Sequence, residues 1–303
     1  MSLGLRDIEY FVAVAEHGNL RRAAEALGLS QPALSKSLRR MEESMHTKLV
    51  RKIPKGIELT AVGSAFLGHV RRIRLCLEDV EHEVTDLTQG RAGHLRLGCG
   101  PDMIELFVQS ACTRLLDSAP KVTLSVTMAQ NDTLFPAVRN GEYDLILSGL
   151  PSAAYPDLVH EQLLDDPFVV YAAATHPLVR RKRITLADLV GQEWVLSMPS
   201  ALSTSRWAQT FASSGLQAPK VTTTTNSHAL MLHMVASSER LGFMPRWYVR
   251  RGGSKVRLAE LPITHPDWSR LGGISYRKDA YLSPAALRFI ELVKTIAERI
   301  SSH

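Results

Sequence analysis

The sequence predicts an α/β protein: an N-terminal winged helix-turn-helix, a long linker helix, and a C-terminal region of two doubly wound α/β subdomains. Three observations carry this. Residues 20–42 read as helix, tight turn and basic second helix; residues 60–89 hold an unbroken heptad pattern; and from residue 94 strand-like and helical stretches alternate in two successive blocks.

The first element is a helix over residues 5–17, where Leu5, Ile8, Phe11, Val12 and Ala15 follow helical spacing up to Gly18. Leu20, Ala23, Ala24 and Leu27 then share a face, Gly28 and Ser30 interrupt it, and Pro32 opens a second helix that buries Leu34, Leu38 and Met41. Ser30 suits an N-cap and Pro32 a first turn, where its missing N–H is not needed. Gln31, Ala33, Ser35, Lys36, Arg39 and Arg40 are left on the other faces. A first turn of this chemistry fits a major groove, with Gln or Ser on base edges and Lys or Arg on phosphates. On pattern alone the alternative is a helical hairpin with a solvated basic face. Residues 49–60, LVRKIPKGIELT, read as two short strands about the turn Pro54-Lys55-Gly56, a wing with a basic tip.

From Thr60 to about Gln89 Phe66, Val70, Ile73, Leu77, Val80, Val84 and Leu87 recur at heptad spacing and form one apolar seam. Arg71, Arg72 and Arg74 precede Glu78, Asp79, Glu81, Glu83 and Asp86, which opposes the helix macrodipole. In an antiparallel pair each basic half faces an acidic half, so the pattern predicts a dimerisation helix; the alternative is a helix packed on its own domain.

Beyond the short linker 90–93, strands are expected at 94–98, 121–129, 144–149, 168–173, 193–198, 220–226 and 241–245. Helices are expected near 102–117, 132–140, 203–214 and 227–238. The chain returns to the first subdomain through 268–278 and ends in an amphipathic helix from Pro284 to Ile300. The expected domains are 1–60, 61–89 and 90–303, the last divided into subdomain I (93–163 and 268–303) and subdomain II (164–267).

Ligands of open α/β sheets sit beyond the carboxyl ends of the strands. That rule selects Gly100, Pro101, Asp102 and Met103, then Gln130 and Asn131, then Ser148 from the first subdomain. From the second it selects Ser197, Pro199, Ser200, Ser203 and Thr204, then Asn226, Ser227 and His228. Asp102, and likewise Ser200, Ser203 and Thr204, have helix capping as the competing role.

Composition narrows the function. The 303 residues carry Lys+Arg 36 against Asp+Glu 30, a formal net charge of +6, which permits a nucleic-acid partner. Between residues 20 and 55 the excess is concentrated: Arg21, Arg22, Lys36, Arg39, Arg40, Lys48, Arg51, Lys52 and Lys55 stand against Glu25, Glu42 and Glu43. Cys76, Cys99 and Cys112 form neither a disulfide framework nor a zinc pattern, and no signal-peptide or membrane-spanning run is visible, so a cytoplasmic protein without membrane contact is expected. Catalytic signatures are weak. GCG at 98–100 lacks the third glycine of a dinucleotide fingerprint, no G-x-S-x-G or H-E-x-x-H occurs, and His228 and His233 are wrongly spaced for a helical metal site. Neither cofactor nor metal is expected, Cys99 reads as packing, and the protein is read as a non-enzyme. The competing hypothesis is a ligand-binding protein or enzyme whose basic N-terminus only mediates oligomerisation.

The run AAEALGLSQPALSKSLRRMEE, followed by LV.K..KG..LTAVG, resembles the DNA-binding segment of the bacterial LysR-type transcriptional regulators. The matching positions include Ala23, Ala24, Ser30, Gln31, Pro32, Ala33, Leu34, Ser35, Leu38, Glu42, Leu49, Gly56, Thr60 and Gly63. The chain departs from the pattern at His46, where glycine is usual, at Val50, where phenylalanine is, and at Lys52 and Lys55, where the commoner arginine offers a rigid fork. The remaining two-thirds resembles the effector domain of the same family and, more distantly, periplasmic solute-binding proteins. The resemblance implies a sequence-specific regulator of double-stranded DNA, controlled by a small-molecule effector between the two subdomains. It also implies a homotetramer built as a dimer of dimers, with RNA polymerase as a further candidate partner. Arg22, Ser30, Gln31, Pro32, Ala33, Ser35, Lys36, Arg39, Arg40, Lys52 and Lys55 are then the expected DNA-binding set.

Overall fold

The computed structural model describes residues 4–54, 56–89, 93–153, 155–197, 204–252, 257–265 and 268–301. The chain divides into two compact units, Met1–His82 and Glu83–His303.

In the first unit, α1 (Leu5–His17), α2 (Leu20–Ala26) and α3 (Gln31–Ser44) precede a hairpin of β1 (Val50–Ile53) and β2 (Gly56–Leu59), and α4 (Ala61–Gln89) begins here. Asn19 caps α2 by accepting N–H bonds from Arg21 (2.9 Å) and Arg22 (3.3 Å), and Ser30 caps α3 by accepting from Ala33 N at 3.4 Å. The expected apolar face of α3 is buried: Leu34, Leu38 and Met41 pack with Phe11, Val14, Ala23, Ala24 and Leu49. Two glycines fix how closely the wing approaches its neighbours. A Cβ on Gly56 would lie 2.3 Å from the Gly18 carbonyl, and one on Gly63 only 1.9 Å from that of Leu49.

His46, where the resemblance calls for glycine, has φ 51°, the one positive value outside glycine among the described residues. Its Cβ is crowded by the backbone in this left-handed conformation. His46→Gly is therefore expected to stabilise the first unit by about 0.5–1 kcal/mol, the relieved strain exceeding glycine's extra entropy in the unfolded chain. Urea unfolding checks this, and an unchanged or lower midpoint counts against it.

The seam of α4 splits into two parts. Val70 packs on Ile8 and Val12, and the Phe66 ring meets Phe11 edge to face at 5.0 Å. Ile73, Leu77, Val80 and Val84 instead stand 41–56% exposed. Leu87 lies among the residues whose side chains are not described.

The second unit holds two lobes. The first-lobe sheet has the order β4-β3-β5-β12-β6, from β3 (His94–Cys99), β4 (Thr123–Met128), β5 (Leu145–Gly149), β6 (Leu158–Asp165) and β12 (Leu271–Arg277). The second-lobe sheet has the order β11-β7-β10-β8-β9, from β7 (Phe168–Ala173), β8 (Glu193–Ser197), β9 (Lys220–Thr225), β10 (Leu241–Pro245) and β11 (Leu258–Glu260). β4, β3 and β5 run parallel, as do β9, β8 and β10, whereas β12, β6, β7 and β11 pair antiparallel. The helices are α5 (Pro101–Met103), α6 (Gln109–Ser118), α7 (Asn131–Arg139), α8 (Leu186–Val190), α9 (Thr204–Ser213), α10 (His228–Ala236), α11 (Arg246–Gly252) and α12 (Pro284–Ser301). A π-helical turn, Ile104–Val108, joins α5 to α6, and a 3₁₀ turn occupies Pro177–Arg180. α12 lays Phe289, Ile290 and Val293 on the first-lobe core of Leu95, Leu97, Leu145 and Leu147. The second lobe is centred on Trp194, Trp207, Phe211 and Trp268.

β6, β11, α8 and α11 add to the elements expected from sequence. β6 matters for the site: it carries the first sheet to Asp165, so only Asp166 and Pro167 separate it from β7. The return strand crosses beside them, with Asp166 N donating to Arg270 O at 2.9 Å.

Candidate functional site

The first unit presents a helix start and a set of cations. Ser30, Gln31, Pro32, Ala33, Lys36, Arg39 and Arg40 are exposed on or beside α3, Ser35 is half-buried, and Arg22 and Lys52 are exposed on α2 and β1. Lys55 lies outside the described residues. Several basic side chains are held within the unit: Arg21 pairs with Glu25 (3.0 Å), Arg40 with Asp7 (2.7 Å), Lys48 with Glu42 (2.6 Å) and Arg51 with Glu58 (2.8 Å). Arg22, Lys36, Arg39 and Lys52 have no carboxylate partner among the described residues. Arg40 thus differs from the expectation of a phosphate-facing arginine, because Asp7 claims one end of its fork.

Two buried carboxylates set this arrangement. Burial opposes ionisation of Asp7, but Arg40, Gly4 N–H and the Ser37 hydroxyl outweigh it and hold its pKa below the usual range. Glu42 is treated alike: against burial, Lys48 and the backbone N–H groups of Leu49 (2.9 Å) and Val50 (3.2 Å) keep it ionised. Glu42 therefore ties the end of α3 to the start of the wing. The sequence showed this residue as a family match without showing its task.

In the second unit the carboxyl ends of the two sheets meet over a cavity of about 50 Å³. Among the described residues its walls are Gly100, Pro101, Asp102, Gln130, Asn131 and Arg270, with Phe168, Ser197, His228, Phe243, Met244 and Pro245. Seven of the residues selected from the sequence come together here: Gly100, Pro101, Asp102, Gln130, Asn131, Ser197 and His228. Others do not. Met103 is fully buried in the first-lobe core, because its side chain turns inward from the helix start. Ser148 is fully buried too, its hydroxyl donating to Gly149 O at 3.3 Å. Thr204 donates to Ser197 O at 3.3 Å, and Asn226 is exposed away from the cavity walls. Pro199, Ser200 and Ser203 lie outside the described residues.

Asp102 is corrected more sharply. Gly100 occupies the N-cap position, with no side-chain bond, and the Asp102 carboxylate is ion-paired to Arg270 instead. The Arg270 side chain is only 5% exposed. It also donates to Asp166 Oδ2 at 3.0 Å and lies over the Phe168 ring, 5.7 Å from its centroid. Asp166 Oδ1 accepts from Trp247 N at 2.9 Å. Burial pushes the Asp166 carboxyl up to about 6, against the pull of Arg270 and the Trp247 N–H, with the Asp102 charge adding to the rise. Burial likewise lowers the His228 pKa, which favours a neutral imidazole; its Nδ1 is buried without a hydrogen-bond partner among the described residues. Cys99 is packing, as expected: it is fully buried, and burial raises its thiol to about 12. Sequence reasoning missed Arg270, Phe168, Phe243, Met244 and Pro245. A visible signal was the lone cation between Trp268 and Leu271-Gly272-Gly273.

Residues 5–64 match the family model "Bacterial regulatory helix-turn-helix protein, lysR family", and residues 88–297 match "LysR substrate binding domain". The chain belongs to the LysR family. It is a DNA-binding transcription regulator with an effector-binding domain, and not an enzyme. The HTH-type transcriptional regulator GbpR of Azospirillum brasilense is 29% identical over 286 residues, covering 94% of this chain and 84% of that protein. The DNA-binding transcriptional dual regulator OxyR of Escherichia coli (strain K12) is 23% identical over 301 residues, covering 99% and 97%. Among solved structures, full-length CbnR complexed with its target DNA has a TM-score of 0.59 at 22% identity, covering 97% of this chain and 100% of that one. The effector binding domain of QuiR in complex with shikimate has a TM-score of 0.58 at 21% identity, covering 68% and 98%. These structural likenesses concern the fold of this LysR-type regulator. No described helix is long and apolar enough to cross a membrane.

Proposed function

We propose that α3 reads base edges through Gln31, Ala33 and Ser35 while Arg22, Lys36, Arg39, Lys52 and Lys55 hold phosphates, with Ser30 and Pro32 shaping the helix start. The observation that carries this division is the pairing pattern: half of the described cations between residues 20 and 54 are engaged by carboxylates of the same unit, and Arg22, Lys36, Arg39 and Lys52 are left for an outside anion. Arg40 joins the phosphate set only through the part of its fork that Asp7 does not hold.

The exposed apolar run Ile73, Leu77, Val80 and Val84 supports an antiparallel pairing of α4 with a second copy. Two such dimers make a tetramer that spans a pseudopalindromic site in the cytoplasm and can engage RNA polymerase. The working domains are 1–60 for DNA, 61–89 for dimerisation and 90–303 for the effector. An effector seated between the lobes favours one closure over another and so changes how the DNA-binding units are presented, a population shift that requires differential affinity.

Fluorescence anisotropy on specific and random duplexes tests the division of labour. Gln31→Ala or Ser35→Ala is expected to lower discrimination by about 1–3 kcal/mol for each base edge that goes unread. Lys52→Ala is expected to weaken binding to both duplexes and to reduce the salt slope by about one. Equal losses on both duplexes for all three variants overturn the assignment.

A further inference from the structure

The cavity between the lobes is unusual in where its charge lies. Arg270, the one cation among the described residues of its walls, is already shared between two carboxylates, Asp102 and Asp166, so the buried group carries a surplus of negative charge once both acids are ionised. Three helices begin at its walls, and a bare helix start favours anions. Two of these starts already hold an aspartate of their own, Asp102 in the first turn of α5 and Asp132 in that of α7. The third, α10, places the His228 ring there, with its buried Nδ1 lacking a partner among the described residues. Neutral polar walls come from Gln130, Asn131 and Ser197, and apolar ones from the stacked rings of Phe168 and Phe243, 4.9 Å apart, with Met244 and Pro245. The Tyr248 ring meets that of His228 edge to face at 5.0 Å.

We propose that this cavity takes a small cationic effector, a primary amine on a short apolar body, and discriminates against organic anions. The proposal rests on the reading of the cavity as the effector site. An ammonium group donates to the Asp102 carboxylate and to the open His228 nitrogen, while its methylenes lie against Phe168, Phe243 and Met244. An organic anion meets the Asp102 carboxylate first and has only a guanidinium already doubly paired to attract it. The amine also competes with Arg270 for Asp102. Arg270 and Asp166 sit on the two adjacent crossovers between the lobes, so a change in that pairing is felt where the lobes pivot.

Propylamine, propionate and 1-propanol share one small apolar body and differ in head group. Their binding to the full chain is measured by isothermal titration and thermal shift at constant ionic strength, for the native protein, Asp102→Asn and His228→Ala. The expected result is binding of propylamine in preference to the other two, weakened about tenfold or more by Asp102→Asn and less by His228→Ala. Asp102→Asn leaves Arg270 paired with Asp166, and a melting curve confirms that the variant folds. Binding of propionate that strengthens in Asp102→Asn overturns the cationic class and leaves the cavity reading intact. Binding of propylamine that ignores both substitutions overturns the cavity reading itself. No response to any of the three overturns the proposal for an effector of this size.

Discussion

Arg270→Met is expected to lower the melting temperature of the second unit by about 10 °C. The substitution keeps most of the side-chain volume, so the loss is electrostatic: Asp102 and Asp166 stay buried with their shared cation gone. Removing one member of a buried ion pair costs about 3–5 kcal/mol, and each kcal/mol moves the transition of a unit this size by roughly 2–4 °C. The effect has a definite pH sign. Asp166 sits at about 6 even with Arg270 present, above its unfolded value of roughly 3.9. Stability linked to a raised carboxyl pKa is full below the unfolded value and lost as pH rises through the folded one. Without Arg270 the folded value climbs further, so the variant's deficit is expected to widen between about pH 5 and pH 8. Adding Asp102→Asn and Asp166→Asn removes the orphaned charges and is expected to recover most of the loss. Scanning calorimetry at the two pH values decides; a single variant within about 2 °C of the native protein at both sinks the argument.

Gly63→Ala is expected to abolish DNA binding on specific and random duplexes alike while leaving the transition of the second unit in place. The added Cβ would stand 1.9 Å from the Leu49 carbonyl, backbone on both sides, so α4 and β1 must separate. That separation also strains the hydroxyl of Thr60, which accepts from Gly63 N at 2.9 Å and donates to Lys48 O at 2.7 Å. Overpacking of this kind costs about 3 kcal/mol or more, much of what a unit of this size has to lose. Gly68→Ala on the same helix is the control. Nothing lies within 4 Å of its Cβ, and alanine is the better helix former by about 1 kcal/mol, so it is expected to stabilise. Equal behaviour of the two variants would show that the close approach to Leu49 does not matter.

Both predictions concern residues whose importance was unevenly visible in the sequence. The helices and wing of the first unit were legible because their determinants are local: an apolar face at helical spacing, Ser30 and Pro32 at a helix start, a turn at Pro54 to Gly56. Gly63 was legible only as a family match, since what it avoids is a carbonyl fourteen positions earlier. The parallel strands of the second unit were legible as apolar runs. β6, LVHEQLLD, was not, because an edge strand with one solvated face holds no such run, and its partner β12 lies more than a hundred residues away. The same distance hid the cavity's charge. Asp102 and Arg270 are 168 positions apart and Asp166 and Arg270 104, so no local pattern could show that the acid at the helix start already had an arginine partner, shared with a second acid. The expected ligand residues that failed, Met103 and Ser148, sit at the correct strand ends, but their side chains point into the core.

The two crossovers carry a consequence for how such a protein can change over generations. The whole second lobe leaves the first after Asp165 and rejoins it at Leu271, and the chain at these two points is one backbone hydrogen bond apart. A segment whose ends nearly touch is a cassette: it can be lengthened, recombined or exchanged for a relative's without tearing the sheet that hosts it. One requirement travels with the cut. A donor lobe must bring Arg270 wherever it brings Asp166, and cannot omit Arg270 while the host keeps Asp102, because either acid without that cation is a buried charge unanswered. Chimaeras joined inside this pair should fail where those joined outside it fold.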